Sequence, residues 1–380
     1  MGVSRRNDSK SWIAQSSYFV NGKRPKQSFS DKQYGGRKNA ERLAHEWLTQ
    51  IDADILRGQF IDPHRNKISV EDFKEQVGIV KLNQAESTKE ILERVWDYYI
   101  ASNQEFVSKS IGAITSQDVA RLIKNLKKED GSSYSHSTIK KVEEVLRVLF
   151  RKAVEMDYIL KNPVTTSVVS DWIPKEVQSK NIYLDKFQVN AIYKDFQQHS
   201  PQYAVAIPLL AYGGFRSGEL RGFYWNDIDF DKGTITVQRQ FNDTTGKFSE
   251  LKTSTSYRTI KLPQYVLKLL KKHKEEYKTP DCELVFPDKN CKNAILGKNF
   301  KNRHLKPALQ RLDMDMNINL HTFRHTSVRL ARESGADLQA ISKRLGHKKI
   351  SMTADKYSEL FENIDSELVE RLDEYLAELG

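Results

Sequence analysis

The apolar residues between positions 139 and 154 recur with helical spacing, and this pattern constrains the fold more than any other in the chain. They line one face of a helix that Ser137 can cap, and they comprise Ile139, Val142, Val145, Leu146, Leu149, Phe150, Ala153 and Val154. Asn162-Pro163 marks the end of this region, because a residue that precedes proline avoids the helical conformation. Such a continuous apolar face must be buried, so the stripe belongs to a core.

Residues 68 to 165 as a whole follow the helical pattern. A second stripe is formed by Ile91, Leu92, Val95, Trp96, Tyr99 and Ile100. Another helix is predicted to begin at Thr115 or Ser116, because either side chain can accept a hydrogen bond from the first helical turn. Lys140 and Lys141 lie on the polar face of the last helix, where they suit contact with DNA and equally well a solvated surface. The middle of the chain is therefore predicted to be all-helical.

The first 62 residues change from the spacing of strands to that of a helix. Ser11 to Val20 has strand character, Asn21-Gly22 is a typical hairpin turn, and a second strand is predicted over Arg24 to Phe29. Apolar residues then follow helical spacing from Ala40 to Ile55. This order predicts a small α/β module.

Most of the chain's excess positive charge lies in this module. Residues 1 to 42 contain ten Lys or Arg and three Asp or Glu, a net charge of +7, whereas the whole chain carries +11. A basic segment attracts the phosphates of nucleic acid, although a solvated basic tail is the simpler alternative. The hairpin turn and the amphipathic helix favour a folded module that touches DNA, with Lys23, Arg24 and Lys26 as candidate contacts.

The last part of the chain combines helices with short strands. Helices are predicted at about 184–199 and 202–213, strands near 234–241, 248–251 and 258–262, and helices again from Gln264 onward. The predicted fold class is mixed, with a small α/β N-terminal module (1–62), an all-helical middle domain (63–166), a polar linker (167–182) and a mainly α domain with a small antiparallel β-sheet (183–380).

Bulk composition disfavours two broad classes of protein. No apolar run reaches the ~20 residues of a membrane-spanning helix, and the polar N-terminus has no apolar signal region. Cys282 and Cys291 are too few for a disulfide framework, which fits a reducing cytosol, and both are expected to be inert. The resulting expectation is a cytoplasmic chain with no membrane contact.

Two motifs in the last domain carry a basic residue on a turn. Arg216 follows Gly213-Gly214 at the start of a predicted helix, where free backbone N–H groups would also meet an anion. Lys252 follows a predicted strand in a hairpin that reaches outward, and Lys247 is a nearby alternative. Both positions suit the binding of a phosphate.

Two further motifs add histidines, an arginine and a tyrosine. His321, Arg324 and His325 share one face of a predicted helix, because their spacing is i, i+3 and i+4. Leu345-Gly346-His347 then precedes Tyr357, which lies ten residues after the histidine.

These residue types match the needs of phosphodiester transesterification. Two guanidiniums can hold the non-bridging oxygens, whose negative charge grows in the transition state. A tyrosine hydroxyl, with an ordinary pKa of ~10, needs nearby positive charge or a base to attack phosphorus. The departing 5′ oxygen needs a proton from a lysine or a histidine. A covalent phosphotyrosine would store the bond energy, so neither ATP nor a metal ion is required.

In this order the motifs resemble the signature of the tyrosine recombinase, or phage integrase, family. The resemblance implies a catalytic set without a metal ion or other cofactor, made of Arg216, Lys252, His321, Arg324, His347 and Tyr357, with Glu219 and His325 in support. The middle region resembles more weakly the core-binding domain of integrases, and the first 60 residues resemble their arm-type DNA-binding module. Gly213-Gly214 departs from the family, which often has threonine-glycine before the first arginine.

The resemblance implies a site-specific DNA recombinase that integrates and excises a phage or other mobile element. Its expected partners are duplex DNA at a crossover site and at a second, arm-type site, three further copies of itself in a tetramer on DNA, a small directionality factor and a host DNA-bending protein. Its expected location is the cytosol of a bacterial host, in association with the nucleoid.

Each motif taken alone has a simpler explanation. An arginine at a turn is usually a surface residue, and Tyr357 could be a packed aromatic. His321 and His325 have the spacing of metal ligands, with His347 as a conceivable third, but Thr322 stands where a zinc protease has its glutamate. A chromosome-resolving recombinase is disfavoured by the basic N-terminal module, and a non-catalytic DNA-binding regulator by the complete set of six residues.

The end of the chain carries one more helical stripe. It consists of Ile364, Leu368, Leu372, Leu376 and Leu379. The opposite face is acidic, which disfavours contact with DNA. This helix either closes its own domain or docks on a neighbouring protomer, as similar tails do in the family.

Overall fold

The structure is a computed structural model that describes residues 2–5, 9–20, 22–61, 65–79, 86–165, 170–175, 181–251, 256–361, 369–370, 372–373 and 375–377. Two compact units make up the chain, Met1–Gln178 and Ser179–Gly380. In these described parts, no helix combines the length and the apolar character needed to cross a membrane.

The first unit begins with an antiparallel sheet covered by a helix. Its elements, in the strand order β1-β2-β3, are β1 (Val3–Ser4), β2 (Ser11–Gln15), β3 (Lys26–Ser30) and helix α1 (Arg37–Leu56). Helix and sheet share a small core of Ala14, Phe29, Ala40 and Ala44. The predicted α/β module is confirmed, although its first predicted strand ends at Gln15, and the sequence pattern does not reveal β1.

The rest of the first unit is helical in its described residues. Its helices are α2 (Val70–Val77), α3 (Glu86–Tyr99), α4 (Gln104–Val107), α5 (Ser116–Asn125) and α6 (His136–Glu155). Thr115 caps α5 as predicted, since its hydroxyl accepts a hydrogen bond from the amide of Asp118. The predicted cap of α6 is wrong. Ser135 accepts from the Thr138 amide, because its backbone is still extended whereas Ser137 already lies inside the helix.

Helix α6 supplies much of the core of this helical region. The predicted stripe is buried at Ile139, Val142, Val145, Leu146, Leu149, Phe150 and Ala153. In α3 the stripe is narrower than predicted, because Ile91 is 39% exposed. Asn162 fixes the chain beyond α6, since its amide donates to the Arg147 carbonyl at 3.0 Å and its side-chain oxygen accepts from the Val164 amide at 2.9 Å.

The second unit is mainly helical in its described part. Its helices are α7 (Lys186–His199), α8 (Ala206–Gly213), α9 (Ser217–Arg221), α10 (Gln264–Tyr277), α11 (Gly297–Phe300), α12 (Lys306–Arg311), α13 (Leu320–Glu333), α14 (Leu338–Leu345) and α15 (Ser351–Tyr357). Its strands are β4 (Ile228–Asp229), β5 (Thr234–Val237), β6 (Arg239–Asn242), β7 (Lys247–Glu250) and β8 (Arg258–Lys261). They form an antiparallel sheet in the order β4-β5-β8 and a separate hairpin of β6 and β7.

The strands differ from the prediction at one point. The single strand predicted over 234–241 is broken at Gln238, so that β5 and β6 belong to different sheets. At the break, Asp227 accepts hydrogen bonds from the side chains of both Gln238 and Arg239.

The segment between α10 and α11 is irregular, although helices were expected from Gln264 onward. Cys282 and Cys291 form a disulfide within it, whereas the low cysteine count favoured a reducing compartment. Their Cα atoms lie 5.9 Å apart, a separation that a disulfide spans without backbone movement.

A small hydrophobic core, separate from the main core of this unit, lies at its C-terminal side. It joins Val328 of α13, Ile341 and Leu345 of α14, and Tyr357 of α15. Helix α13 also packs along α8, so the turn before Arg216 and the ends of α14 and α15 all meet α13. This packing brings the predicted site residues together.

Candidate active site

The turn between α8 and α9 presents Arg216. Gly214 ends α8 with a φ of +71°, and a Cβ there would come within 2.8 Å of the Ser327 Oγ, so the position requires glycine. A Cβ on Gly213 would lie 2.1 Å from the Phe215 ring, which explains why threonine does not occupy this position here. Arg216 is the extended residue that directly precedes α9.

Glu219 holds Arg216 from within the protein. The Arg216 backbone N–H donates to one carboxylate oxygen at 2.9 Å, and its guanidinium donates to the other at 2.7 Å. Glu219 is 1% exposed, and burial opposes its ionisation, but Arg258 and Arg216 outweigh burial and lower the pKa of the carboxyl group. The Arg216 side chain is 35% exposed and can therefore reach a ligand.

Arg324 is held by backbone carbonyls on two sides of the site. Its guanidinium donates to the Gly214 carbonyl at 2.6 Å and to the Leu345 carbonyl at 2.8 Å. It thereby joins the turn before Arg216 to the turn before His347. Burial and the charge of Arg216 lower the pKa of Arg324 to about 9, which still leaves it charged at neutral pH.

His347 is held in one neutral tautomer. Its Nε2 lies 3.1 Å from Nη2 of Arg324 and accepts the hydrogen bond, because a guanidinium can only donate. Its Nδ1 therefore carries the proton and donates to Thr353 Oγ1 at 2.8 Å. Burial and the charges of Arg324 and Arg216 lower the pKa of His347 to about 4.

Tyr357 ends α15 and is 1% exposed. Its hydroxyl lies 3.0 Å from Nδ1 of His325. Burial raises the pKa of this hydroxyl, whereas the charges of Arg324 and Arg216 lower it. The same two charges would attract a phosphate, so a phosphate and the tyrosine oxygen would share one electrostatic field.

Lys356 is a further cation of the site that the sequence reasoning missed. Its Nζ lies 3.3 Å from Nε2 of His321. Burial and the charge of Lys356 lower the pKa of His321 to about 4, and burial with Arg324 and Arg216 lowers the pKa of Lys356 itself. Its place directly before Tyr357 is the signal in the sequence that could have found it.

The predicted lysine falls outside the described residues, and an arginine follows it closely in the sequence. Lys252 lies outside the described residues, whereas its alternative Lys247 is exposed at the start of β7. Arg258, which sequence reasoning also missed, donates to both carboxylate oxygens of Glu219 and to the Arg344 carbonyl. Its position at the start of β8, shortly after Lys252 in the sequence, is the available signal.

Cations surround the histidines that have metal-like spacing. Nε2 of His321 faces the Lys356 ammonium and Nε2 of His347 faces the Arg324 guanidinium, so a bound metal ion would be repelled at both positions. Among the described residues, no group of three or more His, Cys, Asp or Glu side chains could hold a metal ion.

The candidate DNA contacts of the first unit lie on two separate elements. Lys23 follows Gly22, whose φ is +75°, in a turn closed by the bridge between Val20 and Lys23, while Asn21 lies outside the described residues. Lys26 is exposed on β3, and the Arg24 guanidinium lies 4.3 Å from the centre of the Phe19 ring.

The other two candidates lie near the start of α6. Lys140 pairs with Glu143 at 2.9 Å, and Lys141 is exposed.

Fold and site together define a class of protein. A tyrosine hydroxyl in the field of two guanidiniums fits strand transfer at a phosphodiester without a metal ion. Residues 183–363 match the Phage integrase family, and residues 71–169 match the Phage integrase SAM-like domain. The chain belongs to the phage integrase family and is a tyrosine recombinase, a site-specific DNA recombinase of the integrase type.

Individual relatives agree with this class. A Tyrosine recombinase XerC-like protein of Caldanaerobacter subterraneus is 28% identical over 375 residues, which cover 90% of this chain and 94% of the relative. The ICEBs1 integrase of Bacillus subtilis is 26% identical over an alignment that covers 78% of this chain and 79% of the relative. The fold is similar to that of a chain from a lambda integrase tetramer bound to a Holliday junction, with a TM-score of 0.57 and 17% identity. The match covers 92% of this chain and 96% of the lambda integrase chain.

Proposed function

We propose that this chain cleaves and rejoins duplex DNA with Tyr357 as the nucleophile and a covalent 3′-phosphotyrosine as the intermediate, and so integrates and excises a mobile element. The observation that carries the proposal is the geometry of the site, where Arg324 bonds the Gly214 carbonyl beside Arg216 and also bonds His347, while the Tyr357 hydroxyl bonds His325 on the same helix as Arg324. The two guanidiniums would bind the scissile phosphate and stabilise the charge on its non-bridging oxygens. They would also favour the tyrosinate that attacks phosphorus.

The two arginines would contribute in different ways. Two backbone carbonyls fix Arg324, so its remaining N–H groups have a preset direction and need little reorganisation when a phosphate binds. The partly exposed Arg216 would meet the incoming phosphate while Glu219 holds its other side.

Lys252, His321 and His347 complete the proposed site. Lys252 would protonate the departing 5′ oxygen. His321 is the most exposed of the three site histidines and would share in proton transfer or bond a phosphate oxygen. His347 would orient Arg324, because one of its nitrogens accepts from that guanidinium while the other is fixed by Thr353. The positive charge that a metal ion would supply comes from the arginines.

A covalent trapping experiment tests the nucleophile. On a nicked duplex, cleavage releases a short strand and the protein–DNA adduct accumulates. Tyr357→Phe should abolish the adduct and leave DNA affinity nearly intact, because contacts to phosphates and grooves supply most of the binding energy. An adduct formed by the phenylalanine variant would remove Tyr357 from this role.

The basic N-terminal module would bind a second, arm-type DNA sequence, distinct from the crossover site. A net charge of +7 over residues 1 to 42 and a core of its own support this role. We therefore propose the domain boundaries 1–62, 63–166 and 183–380, with 167–182 as the linker.

Assembly on DNA would involve four copies, because recombination joins four strand ends. The lambda integrase tetramer on a Holliday junction supports this arrangement. In the tail, Val369, Leu372 and Leu376 are 50%, 46% and 48% exposed, which favours docking on another protomer. A directionality factor, a host DNA-bending protein and association with the bacterial nucleoid complete the proposal.

A further inference from the structure

The hydroxyl of Tyr357 has a hydrogen-bond partner to which the sequence motifs assign no step in the reaction. Nδ1 of His325 lies 3.0 Å from this oxygen. His325 is 9% exposed and Tyr357 is 1% exposed, so water competes poorly for the bond. Among the described residues, His325 is the hydrogen-bond partner of the tyrosine hydroxyl.

His325 accepts this hydrogen bond. Burial, followed by the charges of Lys356, His321 and Arg324, lowers the pKa of His325 to about 3. The ring is therefore neutral at physiological pH, and one of its nitrogens carries a lone pair. The Tyr357 hydroxyl, whose pKa is raised by burial, keeps its proton and donates it to this lone pair at Nδ1.

The other two histidines of the site are engaged elsewhere. Nε2 of His321 faces the ammonium of Lys356. Both ring nitrogens of His347 have partners other than the tyrosine. In the described part of the site, His325 is thus the histidine placed to receive a proton from Tyr357.

We propose, on the basis of the function proposed above, that His325 is a catalytic residue that accepts the Tyr357 proton during strand cleavage. The tyrosine oxygen forms a bond to phosphorus, the bond between phosphorus and the 5′ oxygen breaks, and the phenolic proton moves to Nδ1. The 5′ oxygen takes its proton from a separate donor, for which Lys252 is proposed. In rejoining, the 5′ hydroxyl returns its proton to that donor, and Nδ1 returns its proton to the tyrosine.

The charge of bound DNA favours this transfer. Without DNA, an imidazolium at His325 would lie close to the cations Lys356 and Arg324, and their repulsion disfavours it. A phosphodiester held at the arginines adds negative charge in the same region and raises the proton affinity of the ring. The base therefore becomes effective when the substrate is in place, which keeps the nucleophile inert in the absence of DNA.

Two substrates separate this role from proton donation to the leaving group. One is an ordinary nicked duplex, and the other carries sulfur in place of the bridging 5′ oxygen, because a thiolate departs without a proton. His325→Asn retains a hydrogen-bond acceptor near Nδ1 but removes the base. It should form the adduct about 10²–10⁴-fold more slowly on both substrates, with unchanged DNA affinity. Lys252→Ala should be slow only on the oxygen substrate.

His304→Asn is the matched control. Nδ1 of His304 also bonds a hydroxyl, that of Ser200 at 2.8 Å, and no contact links it to Tyr357. This variant should cleave at the native rate. A native rate for His325→Asn, or a defect that disappears on the sulfur substrate, would overturn the proposal.

A measurement on the native chain covers the case in which His325→Asn does not fold. On the sulfur substrate the leaving thiolate needs no proton, so the phenolic proton of Tyr357 is the one that is transferred. Adduct formation should therefore be slower in D₂O than in H₂O. Equal rates in the two solvents would contradict a proton acceptor for Tyr357. Tyr357→Phe keeps the two proposals apart. An adduct from that variant refutes the proposed nucleophile, whereas a native rate from His325→Asn refutes only the role of His325.

Discussion

Arg258 and Glu219 are joined by two hydrogen bonds, from Nη2 to Oε2 at 2.8 Å and from Nη1 to Oε1 at 3.1 Å. Their side chains are 8% and 1% exposed. Nε of Arg258 also donates to the Arg344 carbonyl at 2.9 Å. The pair therefore connects strand β8, the helix that follows Arg216 and the turn that presents His347.

Removing Arg258 should destabilise the catalytic domain. Arg258→Ala leaves the buried Glu219 carboxylate with Arg216 alone, and we expect the free energy of unfolding to fall by about 3–5 kcal/mol. Adding Glu219→Gln should recover part of this loss. Arg42→Ala, which breaks the exposed pair with Glu46, is the control and should cost less than about 1 kcal/mol. Denaturant titration measures all four proteins, and equal losses for the two arginine variants would contradict the prediction.

The two arginines of the site should both be needed for the chemical step. Arg216→Lys and Arg324→Lys keep the charge but lose the planar fork, so each should slow adduct formation by about 10²–10³-fold. Only Arg324→Lys should also lower stability, because lysine cannot satisfy the carbonyls of Gly214 and Leu345 together. Adduct kinetics and thermal unfolding provide the two readouts. A near-native rate would remove that arginine from the site.

Stability should decline on mild acidification. Burial and nearby cations lower the pKa of His325 to about 3 and that of His347 to about 4, whereas an unfolded chain has the ordinary value of about 6.5. Protons therefore bind the unfolded chain first, and this part of the stability is lost as the pH falls from about 6.5 toward 4. Thermal unfolding across this range measures the decline. His325→Asn should flatten it, and an identical slope would speak against a buried neutral His325.

Deleting the N-terminal module should separate two DNA-binding activities. A chain without residues 1–62 should still cleave the crossover site but should integrate poorly, because the proposed arm-type contact is lost. Both contacts should weaken steeply as salt is added. An integration assay beside a cleavage assay makes the comparison. Normal integration by the truncated chain would rule out the second site.

Deleting the tail should affect assembly more than folding. Val369, Leu372 and Leu376 are about half exposed within the second unit, and the rest of residues 362–380 lies largely outside the described residues. A chain without residues 363–380 should fold, bind DNA as a monomer and fail to form synapses in gel-shift and sizing experiments. Unfolding of the catalytic domain would instead show that the helix packs in cis.

Local patterns predicted most of the elements and failed where a distant partner intervenes. The strand predicted over 234–241 is interrupted at Gln238, where Asp227 accepts hydrogen bonds from the side chains of Gln238 and Arg239. Nothing within the strand itself encodes that contact. Arg258 was not predicted for the same reason. A basic residue at the start of a strand is common, and its role depends on a buried carboxylate 39 positions away in the sequence.

The sequence by itself determined most of the helices and strands, because turns, caps and apolar periodicity are properties of neighbouring residues. It also determined that His321, Arg324 and His325 share one helical face. Only the tertiary structure decided what each of them contacts, because residues on one face meet different neighbouring elements. Packing of α14 and α15 against α13 places His325 within hydrogen-bond distance of the Tyr357 hydroxyl. The same packing places His321 beside Lys356, the residue that precedes Tyr357.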